Sequence, residues 1–364
     1  MKVVKHYSEF LDRINGSNIV CFGAGKRLDR FVDILPKECI YRVTHVIDNS
    51  IDKQNTRVQM GEREIIIENP QTLFQAFDKQ TIVVITCIEY EGILNQLESC
   101  LKSQDIEVYI LSFLLADYYD EKAMNKVIPD NLSLSKKREI PKVIHYCWFG
   151  GNPIPTKYKE WMSSWKKYCP DYDIVEWNET NYDYKKNKYM MQAYECKKWG
   201  FVPDFARLDI IYQYGGIYLD TDVEIVKNFD DLLYQKGFAG FESDQYVALG
   251  LGFGAAPGNT IIQGFMEQYE QMQFIDKNGN IDMTPSPIYQ TEYLEKLGLV
   301  QNGEYQVIDG KLTIYPEKVL CGKNVFSRRI RLKEYTHSIH HYDGSWMEQG
   351  KKAAIVKLEK CINS

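Results

Sequence analysis

Asp220 and Asp222 stand two residues apart behind Gly215-Gly216-Ile217-Tyr218-Leu219, a spacing that can hold a divalent cation. In an extended chain such residues face the same side, roughly 6–7 Å from one another, so both carboxylates can address one site. Hard oxygen ligands of this kind suit Mg²⁺ or Mn²⁺ carrying a polyphosphate. The same tripeptide is also a common acidic turn after a strand, and alone it says no more than that. A second pair lies just upstream. Asp204 and Arg207 sit three residues apart in Pro203-Asp204-Phe205-Ala206-Arg207-Leu208-Asp209-Ile210-Ile211-Tyr212, where the apolar spacing, the opening proline and the closing glycine pair predict a helix. On that helix they share a face, as a solvated ion pair or as a carboxylate and a guanidinium fork turned to a ligand.

The surrounding pattern supplies elements that can position these groups. Ile217 to Leu219 reads as a buried strand ending at a sheet edge, where chemistry collects in open α/β sheets. Val143 to Trp148 predicts another, and Trp148 at its end, beside the loop Phe149-Gly150-Gly151-Asn152-Pro153-Ile154-Pro155, can present an indole face. A helix capped by Thr156 follows, with Tyr158, Trp161, Met162 and Trp165 as its apolar face. Further strands are expected over Tyr172 to Trp177, Val223 to Val226 and Phe238 to Phe241, with a helix over Tyr189 to Trp199. In Leu249-Gly250-Leu251-Gly252-Phe253-Gly254-Ala255-Ala256-Pro257-Gly258-Asn259 small residues would let a ring approach the backbone.

Asp-x-x-Arg, a helix, then Gly-Gly-Ile-Tyr-x-Asp-x-Asp resembles the sugar-binding region of family 32 glycosyltransferases, which include initiating α-1,6-mannosyltransferases and bacterial capsular polysaccharide enzymes. It is also similar to the core of the large clostridial glucosylating toxins. Ile140-Pro141-Lys142-Val143-Ile144-His145-Tyr146-Cys147-Trp148 looks like the family's opening strand and His340-His341-Tyr342-Asp343-Gly344-Ser345-Trp346 like its closing loop, so the likeness runs from about residue 140 to 350. It implies a GT-A-type domain and metal-dependent, retaining transfer from a UDP- or GDP-sugar to a glycan acceptor. That acceptor is often lipid-linked in bacteria, in capsule or cell-surface polysaccharide synthesis. By the same resemblance Asp222 is a direct metal ligand and Asp220 a shared metal and ribose contact. His341, in His-x-x-Gly, completes the metal shell, although His337, His340 and His341 all suit hydrogen-bonded structural roles as well. Asp204, Arg207 and Tyr218 belong to the donor site, Trp148 stacks on the base, and Ser345 and Trp346 lie over the diphosphate once the loop has closed on metal and donor. Thr284-Pro285-Ser286-Pro287 departs from the family's Thr-Gly-Pro.

At 364 residues the chain is long for one core, so two domains are expected. Residues 17 to 112 alternate strand and helix patterns, which predicts a small Rossmann-like α/β domain over residues 1–116. Its first turn, Phe22-Gly23-Ala24-Gly25-Lys26-Arg27-Leu28, carries two of the three fingerprint glycines, with Asp48 placed for a ribose hydroxyl. The same turn serves equally as a tight strand-to-helix connection. Residues 117–139 read as a polar linker whose Lys136-Lys137-Arg138 either is solvated or touches an anionic membrane face, and 140–364 as the transferase domain. A net charge of -6 argues against a general nucleic-acid-binding surface. No apolar run of signal-peptide or membrane-span length is found, and nine cysteines without a Cys-x-x-Cys pair fit packed thiols, so a cytoplasmic protein is expected, at most peripheral to the inner membrane face. Two rivals stand beside the transferase: an oxidoreductase using Gly23 and Gly25, which leaves residues 140 to 350 unexplained, and a non-catalytic carbohydrate-binding or assembly protein of the same fold.

Overall fold

The computed structural model describes residues 2–25, 27–87, 90–101, 106–243, 246–344, 356–357 and 359–361. Two units separate, one of Met1–Glu121 with Phe326–Arg328 and the C-terminal residues from Glu359, the other of Lys122–Val325 and Arg329–Leu358. Both are α/β, as the alternating patterns predict.

The first unit runs β1 (Lys2–Val4), α1 (Tyr7–Ile14), β2 (Asn18–Phe22), α2 (Arg27–Ile34), β3 (Val43–Ile47), β4 (Arg57–Met60), β5 (Arg63–Glu68), α3 (Pro70–Leu73), β6 (Thr81–Ile85), α4 (Tyr90–Leu101), β7 (Glu107–Ile110) and α5 (Leu111–Met124). Its sheet has the order β1-β7-β6-β2-β3-β5-β4, parallel except for the β4–β5 hairpin. Sequential βαβ crossovers produce such an order because parallel neighbours cannot be joined by tight turns. Strand β6 is buried at every residue, which is why it reads as an unbroken apolar run.

The glycine turn of this unit is closed on itself. Asp48 accepts from Ala24 N at 2.7 Å, from Ser50 N at 2.9 Å and from Lys53 Nζ at 3.0 Å, so the carboxylate expected to meet a ribose instead holds its own turn. Leu28, at the place of the missing third glycine, is 1% exposed and packs in the core with Phe10, Phe31 and Val46. A leucine is kept there by apolar burial, where a fingerprint would need close backbone approach.

Residues 117–139 depart from the expected linker. Positions 117–124 continue α5, which buries Phe113, Leu114, Leu115 and Tyr119, and Tyr119 stacks on Phe326 at 4.3 Å. Beyond it Leu134 N and Ser135 N donate to Tyr234 O, Glu139 N and Ile140 N donate to Leu233 O, and Leu132 is buried. The polar composition conceals backbone donors that find fixed acceptors, which composition alone does not report.

The second unit runs β8 (Val143–Cys147), α6 (Thr156–Tyr168), β9 (Asp173–Trp177), α7 (Lys188–Glu195), α8 (Pro203–Tyr214), β10 (Gly216–Tyr218), β11 (Val223–Ile225), β12 (Gly237–Gly240), β13 (Phe253–Ala255), α9 (Thr260–Gln271), α10 (Ser286–Lys296), β14 (Gln306–Ile308), β15 (Leu312–Tyr315), α11 (Glu317–Leu320) and β16 (Ser338–His340). Seven strands form a mixed sheet ordered β14-β15-β12-β13-β10-β8-β9, and β11 pairs with β16 in a separate two-stranded ribbon. Strand β10 lies between β8, parallel, and β13, antiparallel. Trp148 and Asp220 therefore leave neighbouring strands at the same edge.

Gly216 shows why the glycine pair precedes this edge. Its φ is +100°, and a Cβ there would lie 2.7 Å from Val143 O, so neither the backbone shape nor the space admits another residue. Beneath the pair His145 is held neutral, its Nε2–H donating to Gly215 O at 3.0 Å and its Nδ1 accepting from Trp177 Nε1 at 3.1 Å. Burial lowers its pKa to about 4. No helix among the described residues is long and apolar enough to cross a membrane, and the nine cysteines are all free.

Candidate metal and donor site

Helix α8 begins at Pro203 and stops at Gly215, whose φ of +65° ends the helix while its N–H still bonds to Ile211 O. Buried nearly all round, it must partner every polar side chain that it carries. Asp209 is satisfied within the fold, accepting from Tyr182 OH at 2.7 Å, Lys186 Nζ at 2.6 Å and Gln213 Nε2 at 2.7 Å. Asp204 and Arg207 are turned instead to the acidic edge, each 3% exposed. Arg207 Nη2 bonds to Asp204 Oδ1 and its Nη1 lies 3.6 Å from Asp220 Oδ2. Its Nε donates to Pro203 O at 3.2 Å, and the guanidinium rests 5.3 Å from the centre of the Tyr218 ring. One fork thus spans two carboxylates, which a point charge cannot do.

Asp220, Asp222 and His340 converge, each offering a donor atom within 4.8 Å of the others. His340 Nε2 is 3.1 Å from Asp222 Oδ1, and its Nδ1 is buried with no partner among the described residues. Asp222 Oδ2 accepts from Asp343 N at 2.9 Å. Two carboxylates and an imidazole beside a spare buried nitrogen fit a hard to borderline divalent cation such as Mn²⁺ or Mg²⁺.

The field around this cluster is strongly graded. Burial pushes the Asp204 carboxyl up to about 6, against the pull of Arg207 and with the repulsion of Asp220. Burial alone would lower Arg207, but Asp220 and Asp204 reverse that and raise it above its ordinary value. Asp222 pays the same desolvation and is nevertheless held below the usual carboxylate range by His340 and the Asp343 amide. His340 is raised despite burial, chiefly by Asp222.

The histidine brought to the pair is His340 rather than His341. In β16 His340 lies opposite Val223 and Ile339 opposite Glu224, and the His340 ring reaches Asp222 in the turn just before β11. His341, just past β16, turns to Glu224, bonding Glu224 Oε2 through Nε2 at 2.9 Å and stacking on Trp161 at 4.1 Å and 8°. Only its backbone N–H, which donates to Asp222 O at 2.9 Å, touches the acidic edge. His340→Ala is therefore expected to abolish the thermal stabilisation that Mn²⁺ confers, and His341→Ala to retain most of it. Equal loss in the two variants, measured as melting temperature against Mn²⁺ concentration, would contradict this assignment.

Helix α6 seats the closing segment. Asp343 accepts from Lys157 Nζ at 2.6 Å and from Tyr158 OH at 2.7 Å, while Trp165 Nε1 donates to Val223 O at 2.8 Å and Ser164 Oγ accepts from Ile225 N at 2.8 Å. Of the aromatics assigned to an apolar face, Trp165 is wholly buried, but Tyr158 and Trp161 hold residues 341–343. The segment through Asp343 is thus docked on α6. Ser345 and Trp346 lie outside the described residues.

Trp148 is half-buried, with Nε1 donating to Asn152 O at 2.6 Å and its ring edge-on to Tyr158 at 5.9 Å. The same loop borders an open cleft of about 510 Å³ lined by Gly150, Asn152, Tyr184, Tyr194, Lys197 and Trp199. Tyr184 and Tyr194 stack there at 3.8 Å. The cleft had no signal in the sequence, because its aromatics come from separate elements.

Residues 155–239, which hold Asp204, Arg207, Asp220 and Asp222, match the family described as "Glycosyltransferase sugar-binding region containing DXD motif". Inositol phosphoceramide mannosyltransferase 3 of Schizosaccharomyces pombe is 35% identical over 103 residues, 26% of this chain and 28% of that protein. Inositol phosphoceramide mannosyltransferase 1 of the same yeast is 26% identical over 144 residues, 35% and 44% of the two chains. Mannosyl phosphorylinositol ceramide synthase SUR1 of Saccharomyces cerevisiae is 28% identical over 138 residues, 36% of each. The chain therefore spans less than half the length of these relatives. Among solved structures the PaToxG glycosyltransferase aligns over 51% of this chain and 77% of its own at 18% identity, with a TM-score of 0.34, too slight to establish a common fold.

Proposed function

We propose that this chain is a metal-dependent glycosyltransferase that moves a sugar from a nucleoside diphosphate to a glycan acceptor. The observation that carries this reading is the convergence of Asp220, Asp222 and His340 beside the buried Asp204–Arg207 pair, within and next to the region that matches a glycosyltransferase family. Breaking the anomeric bond leaves negative charge on the departing diphosphate while the sugar becomes oxocarbenium-like, so groups at the leaving phosphate matter most. A divalent cation held by Asp220, Asp222 and His340 supplies Lewis-acid charge there. Arg207 keeps Asp220 oriented and adds a fixed positive charge, and Asp204 accepts from a sugar or ribose hydroxyl.

Trp148 is assigned to the donor base, with the cleft beside Asn152 at the nucleoside end. A stacked base contributes about 1–3 kcal/mol to ground and transition states alike. Trp148→Ala is therefore expected to raise the donor dissociation constant roughly ten- to a hundredfold and change kcat little. A fall in kcat at unchanged donor affinity would move Trp148 out of the base site.

The yeast relatives are named for mannosyl transfer to inositol phosphoceramide, which supports a lipid-linked acceptor. Retention of configuration, a UDP- or GDP-linked donor and a place in bacterial capsule or cell-surface polysaccharide synthesis at the cytoplasmic membrane face rest on the family resemblance. The deciding experiment is to incubate the full chain with a panel of UDP- and GDP-sugars and Mn²⁺, with and without EDTA. Metal-dependent release of nucleoside diphosphate from at least one donor is expected. Mn²⁺ binding with no turnover of any donor, even with glycan acceptors supplied, would favour the non-catalytic binding protein.

A further inference from the structure

Asp220 is hemmed in from above by a loop that it does not bond to. A Cβ placed on Gly250 would overlap Asp220 Oδ2 and lie 3.2 Å from Arg207 Nη1, so the bare backbone of Gly250 sets how far that carboxylate can swing. Ala248 N anchors the start of that loop on Gly240 O at 3.1 Å, and the rest of its hold comes from α10. Leu249 N donates to Gln290 Oε1 at 3.0 Å and Val247 N to Thr291 Oγ1 at 2.9 Å, while Thr291 Oγ1 donates to Pro287 O at 2.7 Å. Gln290 is 1% exposed and Thr291 0%. The backbone N–H of Leu249 is an obligate donor, so it fixes the Gln290 amide with its oxygen towards the loop. Gln290 Nε2 is then left buried without a partner among the described residues. Leaving such a nitrogen unpaired costs about 1–3 kcal/mol. An apolar side chain would spare that cost, but it would leave Leu249 N–H unmade.

From this geometry we infer that Gln290 is a positioning residue for Asp220: its carbonyl pins the 247–251 loop, and the loop confines the carboxylate to the orientation in which it meets Asp222 and His340. The inference rests on the metal-site reading given above. It predicts that the part of Gln290 that matters is the acceptor oxygen. Gln290→Met removes that oxygen at nearly constant volume, and Gln290→Glu keeps an acceptor while removing the amide nitrogen.

The test measures Mn²⁺ affinity by titration, and kcat and KM for donor hydrolysis, on the full chain and both variants, with thermal melts to establish folding. Gln290→Met should weaken Mn²⁺ binding about 10–100-fold, as loss of a group that orients a ligand does, and lower kcat with donor KM little changed. Gln290→Glu should restore most of both. A folded Gln290→Met protein with unaltered Mn²⁺ affinity overturns the inference, as does equal loss in Met and Glu variants. If Gln290→Met does not fold, Gln290→Asn, which withdraws the amide by one methylene, takes its place under the same criteria. A wild-type chain that binds no Mn²⁺ removes the metal reading itself, an outcome distinct from a variant that fails to differ.

Discussion

Asp222→Asn is expected to cut donor turnover by about a thousandfold or more while leaving the melting temperature within a few degrees, since Lewis-acid stabilisation of a leaving group amounts to several kcal/mol. The carboxylate sits where three interactions meet: it accepts from Asp343 N, faces His340 Nε2 and shares the acidic edge with Asp220. Asparagine preserves the shape and the acceptor for Asp343 N–H, so the docked closing segment should persist. What disappears is one full negative charge opposite a cation. Turnover is read with saturating Mn²⁺ and donor, and folding by circular dichroism. Full activity in a folded variant would remove Asp222 from the metal site.

Arg207→Lys should lower kcat/KM for the donor about a hundred- to a thousandfold, the usual consequence of losing a preorganised donor at developing charge. Lysine keeps the positive charge but not the fork. One ammonium cannot bond to Asp204, approach Asp220 from the same plane and donate to Pro203 O, all of which the guanidinium does now. The buried pair also carries stability. Removing the charge outright, as in Arg207→Ala, would strand Asp204 and cost about 3–5 kcal/mol, whereas the lysine variant should lose less. Steady-state kinetics paired with thermal melts separate the two effects, and unchanged kinetics for Arg207→Lys would make the pair purely structural.

The parts of the site that were legible in the sequence are those set by local rules. Pro203 and Gly215 bracket α8 as proline and glycine do generally, the short apolar run of β10 reports its burial, and Asp204 and Arg207 are spaced by helix periodicity, whereas Asp220 and Asp222 stand in the turn after β10 rather than in an extended strand. Choices that depend on distant partners were not legible. That His340 reaches Asp222 while His341 reaches Glu224 appears only once β16 has paired with β11, more than a hundred residues earlier in the chain. Gly250 is one of several small residues in its stretch until α10 is seen to hold it over Asp220. The turn at Gly23 looks like a phosphate cradle until Asp48 is seen to occupy its amide. Residues 132–139 look like a solvated connector because nothing local shows that Leu233 and Tyr234 offer them carbonyls.

Titration of the 364-residue chain with Mn²⁺, followed by the loss of the free-ion electron paramagnetic resonance signal, with UDP or GDP present and absent, bears most directly on the claim that Asp220, Asp222 and His340 form a metal–diphosphate site. The predicted result is a saturable site that one of the nucleotides tightens and that Asp222→Asn and His340→Ala each abolish. Mn²⁺ binding that is indifferent to both substitutions, or no saturable binding at all, would contradict it.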